Sequence, residues 1–293
     1  MQVLVVASQK GGVGKTTTTV NLAASLALSG LRVLVVDLEP QAQAGEALGL
    51  RITNDEIQRS LGLGLQMAAQ GAMPDLRALR FDRTELLDGW DCDGSLHLLA
   101  SEESTMSNAQ NLVVAGGYKA TPILRRMLMT VADDYDYVVV DTPPAIQGLS
   151  TVGWASGDWV LTVCNPEYAT VKGAVTLRGS VRFVSERTQG ECTPQYLGAV
   201  LDKSNPPSQW SGEEVEVRNG MVSAGLLPFL TDIRTDRRIS SAFGVGMPAV
   251  IRHANHPPGK LYAALLNEVM TRMDTPPSTW ETAPVIDVEP TSV

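Results

Sequence analysis

The stretch Gln9-Lys10-Gly11-Gly12-Val13-Gly14-Lys15-Thr16-Thr17 constrains the fold more than any other part of this chain. An apolar run, Val3–Ala7, precedes it and predicts a short buried strand. The segment Thr16–Ser29 follows and predicts a helix. Strand, glycine-rich turn and helix in that order form the context a phosphate-binding loop needs. The backbone N–H groups of the turn and of the helix N-terminus then point at an anion. Lys15 would set a positive charge on the outer phosphates, and the Thr16 hydroxyl would ligate Mg²⁺.

The rest of the chain predicts an α/β fold. Its expected form is a three-layer P-loop architecture, a mostly parallel sheet covered by helices on both faces. Candidate strands are Val3–Ala7, Arg32–Val36, Leu96–Leu99, Tyr137–Val140, Trp159–Cys164, Tyr196–Leu201 and Gly225–Leu230. They are continuous apolar runs, as strands buried on both faces should be. Candidate helices are Thr16–Ser29, Ala120–Ala132, Ala169–Arg187, Gly212–Ala224 and Lys260–Met273. One ATPase-type domain is expected over residues 1–274, with 51–94 as a mixed insertion at one edge. Residues 275–293, rich in Pro, Thr and Glu, are expected to form a disordered tail.

Composition narrows the alternatives. No apolar run approaches the ~18 residues of a membrane span. The first strand starts at once, which predicts no cleaved leader. Cys92, Cys164 and Cys192 lack the spacing of a zinc site or a disulfide framework. A cytoplasmic protein is expected. The net charge of −9 argues against a simple nucleic-acid binder, but the acidity lies in the N-terminal half and the tail. A local basic patch in the C-terminal half stays open.

Two strand ends carry acids. Asp37 follows Val33-Leu34-Val35-Val36, and Glu39 comes two residues later, on the same side of an extended segment. Asp141 follows Tyr137-Val138-Val139-Val140. Ligands of open α/β sheets bind beyond the carboxyl ends of strands, where such acids would hold a metal or steer an attacking water.

The loop departs from the common phosphate-binding pattern at one place. Gln9 stands where a glycine is usual, and Lys10 lies beside it. A second loop lysine is useful if it reaches a nucleotide held by another subunit. The pattern K-G-G-x-G-K-T resembles the deviant Walker A motif of the ParA/MinD ATPases, in the short form without an N-terminal helix-turn-helix. The segment Asp37-Leu38-Glu39-Pro40-Gln41 is similar to the family's D-x-D-P-Q, with Glu39 at the place of the second acid. The extra methylene moves that carboxylate by roughly 1.5 Å, a displacement that can cost ~10²-fold in rate. Asp141 matches a Walker B acid, and Thr142-Pro143-Pro144 resembles the switch segment that follows it. Asn165-Pro166-Glu167-Tyr168-Ala169 with Gly173 resembles the family's next strand-to-helix connection. Thr231-Asp232-Ile233-Arg234 through Gly246-Met247-Pro248 resembles the segment near the adenine pocket, with Arg234 replacing a proline.

The resemblance implies an Mg²⁺-dependent, partner-stimulated ATPase acting in DNA partition of a plasmid or chromosome. Nucleotide contacts would come from Lys10, Gly11, Gly12, Val13, Gly14, Lys15, Thr16, Thr17, Ile233 and Arg234. Catalysis would rest on Lys10, Lys15, Glu39 and Asp37, and the metal on Thr16, Asp141 and Asp37. The implied partners are a second copy in an ATP-bound dimer, a ParB-like centromere-binding protein, and DNA bound without sequence preference through Arg234, Arg237 and Arg238. Nucleoid association follows, and membrane docking does not, because the chain ends in acidic, Pro-rich sequence. Two further readings stay open: a relative that positions a non-DNA protein cargo, and a nucleotide-switched regulatory dimer with negligible hydrolysis.

Overall fold

A computed structural model describes residues 1–144 and 148–286. Its strands are β1 (Gln2–Ala7), β2 (Arg32–Asp37), β3 (Phe81–Asp82), β4 (Ser95–Leu99), β5 (Tyr137–Asp141), β6 (Trp159–Cys164), β7 (Gln195–Ser204) and β8 (Ile233–Arg234). They form one eight-stranded sheet in the order β3-β4-β2-β5-β1-β6-β7-β8. Only β3 runs antiparallel, on the edge beside β4. The helices are α1 (Lys15–Leu28), α2 (Gln43–Ala47), α3 (Leu61–Ala69), α4 (Leu76–Leu79), α5 (Glu103–Gly116) and α6 (Ile123–Met129). They continue as α7 (Leu149–Ser156), α8 (Tyr168–Arg187), α9 (Gly212–Ser223), α10 (Arg237–Phe243), α11 (Ala249–Arg252) and α12 (Pro257–Asp274).

The three layers follow from the strand's two-residue period. Leu4 and Val6 of β1, with Val33 and Val35 of β2, face a core built with Val20, Leu22 and Leu26 of α1 and Leu265 and Val269 of α12. Val3 and Val5, with Leu34 and Val36, face the opposite core, made with α3, α5, α6 and α7. Both faces of the central strands are therefore dry, which is why those strands read as unbroken apolar runs. β1 lies between β5 and β6, so the loop leaving it opens at the middle of the sheet's carboxyl edge.

Two expectations need correction. Gly225–Leu230 is not a strand: Leu227 has φ 49° and Gly225 φ 65°, and only Pro228 bridges to Ala199. Pro228 has no N–H to give a ladder, and the edge strand forms instead at Ile233–Arg234. The tail is ordered further than its composition predicts. Residues 275–286 return to the body, where Ala283 N–H donates to Pro228 O and Asn219 exchanges two hydrogen bonds with Ile286. Trp280 sits tilted on Trp159 at 6.1 Å, and the buried Arg272 guanidinium donates to the carbonyls of Leu197, Leu227, Pro228 and Glu281. Residues 287–293 lie outside the described residues. Among the described residues no helix is long and apolar enough to cross a membrane.

Candidate nucleotide site

The loop between β1 and α1 has the geometry its glycines demand. Gly12 takes φ 71° and Gly14 φ 97°, values that cost a side-chain-bearing residue ~1 kcal/mol or more. At Gly14 space is closed as well: a Cβ there would lie 1.6 Å from Asp202 Oδ2. α1 then starts at Lys15, its first turn closed by Thr18 N–H donating to Gly14 O at 2.8 Å. Lys15 and Thr16 are both buried at the helix start.

The acids converge on that start from the β2–β5 side. Asp37 and Asp141 are register partners on adjacent strands. Asp141 Oδ2 accepts from Thr16 Oγ1 at 2.6 Å and its Oδ1 from Thr19 Oγ1 at 3.2 Å. Burial pushes the Asp141 carboxyl above the ordinary range, while the Thr16 hydrogen bond and the Lys15 charge pull it back. Asp37 is also pushed well up, first by burial and then by the Asp141 charge.

Asp37 and Glu39 do not act as a like pair. Asp37 is fully buried and spends its oxygens on backbone: Oδ1 accepts from Glu39 N at 3.0 Å, and Oδ2 from Ala44 N and Gly45 N at 3.1 and 3.2 Å. It holds the β2–α2 turn. Glu39, two residues after β2, is half-buried; burial raises its carboxyl, and the Lys15 charge opposes that shift.

Lys10 behaves unlike Lys15. Its ammonium is turned out of the loop and pairs with Glu167 just ahead of α8, both side chains roughly half exposed. Gln9 packs against α8 at Gly173, where an added Cβ would come within 3.2 Å of it. Thr142 Oγ1 donates to Val6 O, and Ser150 Oγ donates to Pro143 O, so the segment after β5 is tied to β1 and to α7. Pro144 reaches the loop beside Gly11.

A cavity of about 340 Å³ extends from this loop to the far side of β1. Gly12, Gly14, Lys15, Thr16 and Thr17 line one end; Arg234, Asp236, Ile239 and Phe243 line the other. Of the residues expected near the base, Arg234 lines the cavity, whereas Ile233 is buried in the core and does not line it. Val13 is likewise a core residue. The three arginines separate too. All three are exposed, and Arg238 is paired with Asp236, whose carboxylate also caps α10. Asp232 pairs with Arg218 at 2.6 Å and leaves this group free.

The sequence reading missed Asp202 and Lys203, which form a wall of the cavity at the end of β7. The signal was present: Val200-Leu201-Asp202 is a third acid closing an apolar strand. Lys203 has φ 58° and donates its ammonium to Gly12 O. Gln43 at the start of α2 also lines the cavity, and Ala42 just before it has φ 55°. One lining residue, Lys203, and the neighbour of another, Ala42, thus lie in the left-handed region, the kind of strain that collects at functional sites.

Comparison with known proteins decides the family. A family model described as an AAA domain matches residues 1–193. The chain is 31% identical to the chromosome-partitioning ATPase Soj of Thermus thermophilus, over 92% of this chain and 96% of that protein. The chain belongs to the ParA/MinD superfamily of P-loop ATPases. It is also 30% identical to the sporulation initiation inhibitor protein Soj of Bacillus subtilis, over 92% and 98% of the two chains. The apo structure of McdA from Cyanothece superposes with a TM-score of 0.76 at 22% identity, covering 92% of this chain and 99% of that one. This ParA-type chain therefore has the family's fold along nearly its whole length.

Proposed function

We propose that this ParA-type chain is an ATP-dependent DNA partition ATPase working as a nucleotide-sandwich dimer. The observation that carries the reading is the split between the two loop lysines. Lys15 is buried at the helix start, where it serves a phosphate held by its own subunit. Lys10 is exposed and faces away from that phosphate, so its charge is available to a nucleotide on a second copy.

The donor set suits Mg²⁺: the Asp141 carboxylate and the Thr16 hydroxyl, 2.6 Å apart, would hold it together with phosphate oxygens and waters. When bound, that ion neutralises charge on the β- and γ-phosphates. Lys15 holds the outer phosphates, and the backbone amides of Gly11 to Thr17 cradle them. Glu39 orients the attacking water, and Asp37 fixes the turn that carries Glu39. Lys10 of the partner copy stabilises charge on the γ-phosphate in the transition state.

Arg234 and Arg237 supply the exposed phosphate-binding charge for duplex DNA, and dimerisation doubles it. Arg238 joins them when it leaves Asp236. A ParB-like partner stimulates hydrolysis and releases the dimer from the nucleoid. Sedimentation with ATP, with ADP and without nucleotide, each with and without duplex DNA, tests the reading. ATP alone should give the dimer, and only the dimer should shift with DNA. Lys10→Ala should bind nucleotide as a monomer yet fail to dimerise; a variant that dimerises and hydrolyses as the parent does would refute the two-subunit site.

A further inference from the structure

β7 ends in a break of register. Asp202 pairs with Ile233 of β8 and Ser204 pairs with Arg234, and the ladder shifts between them, at Lys203. Lys203 has φ 58°, a left-handed conformation that a lysine adopts only at a cost. A regular strand sends successive side chains to opposite faces. The irregularity re-aims one of them, so Asp202 and Lys203 both line the nucleotide cavity. Together they clasp the phosphate loop at two glycines of positive φ. A Cβ on Gly14 would lie 1.6 Å from Asp202 Oδ2, and the Lys203 ammonium donates to Gly12 O at 2.5 Å.

The acids near that ammonium are engaged elsewhere. Asp202 gives Oδ1 to the Lys203 backbone N–H at 2.7 Å and turns Oδ2 to Gly14. Glu167 pairs with Lys10; its carboxyl is held low first by that hydrogen bond and least by the Lys203 charge. An ammonium has three N–H donors, and one carbonyl takes one of them. A phosphate oxygen is a stronger acceptor for a cation than a neutral carbonyl is. We propose that Lys203 is a second phosphate-binding lysine for the nucleotide of its own subunit, set on the inner phosphates while Lys15 holds the outer ones. The cavity gives the order. Asp141 and Asp37 stand on the β5 and β2 side of β1, where the metal and the outer phosphates belong. The cavity leaves the loop in the other direction, past Lys203 toward Ile239 and Phe243. The inner phosphates of a nucleotide lying along it face the end of β7.

This assignment rests on the ATPase reading, and the experiment keeps the two apart. Calorimetry measures binding of Mg-ADP and of a non-hydrolysable Mg-ATP analogue to the whole protein, to Lys203→Met and to Lys203→Arg. The inner phosphates are common to both nucleotides. Lys203→Met should therefore bind each about tenfold more weakly than the parent does, the scale of one charge-assisted hydrogen bond. Lys203→Arg keeps the charge and should recover most of that loss. The gap between the parent and Lys203→Met should narrow from about 0.05 M to about 0.5 M salt. A loop merely displaced by the substitution would lose affinity with no change in salt dependence. Parent-like affinity in Lys203→Met overturns the assignment, as does a loss that Lys203→Arg shares or that salt leaves unchanged. A loss confined to the ATP analogue would put the charge on the outermost phosphate and overturns it too. A parent that shows the expected losses with both nucleotides but never dimerises refutes the two-subunit reading and supports this one. No binding of either nucleotide by the parent overturns both.

Discussion

Asp141→Asn should stabilise the nucleotide-free protein and at the same time abolish its response to Mg-ATP. The two effects come from one geometry. Asp37 and Asp141 are neighbours on adjacent strands, fully buried, and both ionise reluctantly. Strands lie ~4.8 Å apart, so two such charges repel by ~3 kcal/mol at an effective dielectric constant of about 20. Asparagine removes that repulsion and the cost of burying a second charge. It keeps one acceptor, so one of the Thr16 and Thr19 hydrogen bonds survives and the loss of the other costs ~1–2 kcal/mol. The net gain is ~1–3 kcal/mol, or ~2–5 °C in Tm for 293 residues.

The gain depends on pH with a definite sign. A carboxyl raised on folding binds its proton more tightly in the native state, so native stability is lost as pH rises from the unfolded value through the folded one. The advantage of the variant is therefore largest at pH 8 and shrinks as the pH falls through the raised folded pKa values. Thermal melts of nucleotide-free protein at pH 5 and pH 8 measure it. At 100-fold excess over Kd, Mg-ATP should add ~2.7 kcal/mol to the parent and little to the variant. A variant less stable than the parent at pH 8, or a difference that does not shrink at pH 5, would refute the reasoning.

Two other substitutions test particular contacts. Gly14→Ala should lower nucleotide affinity at least tenfold and cost more stability than Gly12→Ala, because both carry a positive φ but only Gly14 faces Asp202. Denaturant titration of the singles and of Gly14→Ala with Asp202→Ala should show partial rescue; additive losses would mean the contact is not the cause. Trp280→Ala should cost ~1–2 kcal/mol by freeing the C-terminal strap from Trp159 and Arg272, and an unchanged urea midpoint would mean that the strap does not dock.

Much of the site was legible in the chain because its chemistry is local. A glycine turn between strand and helix needs no distant residue to be recognised, and strand-end acids mark themselves by the apolar runs before them. Partner choice was legible only in part. That Asp37 would spend its carboxylate on the α2 turn depends on where a short segment comes to rest; the ion pair of Arg238 with Asp236, two residues away, was open to a local reading, whereas the pairing of Asp232 with Arg218 was not. The expected helices did not include α5 (Glu103–Gly116) or α7 (Leu149–Ser156). Composition misread residues 275–286, where the contacts of Trp280 with Trp159 and with the buried Arg272 outweigh a polar, proline-rich stretch.

By itself the sequence determined the P-loop, the parallel sheet behind it and the presence of two lysines in one loop. These follow from backbone sterics and from periodicity, which act over a few residues. Tertiary structure alone decided that Lys10 points outward while Lys15 is buried, and that Asp202 closes over Gly14 from 188 positions away. The sheet order does this: β1 lies at the centre, so acids and bases from strands remote in sequence meet at the ends of its one loop.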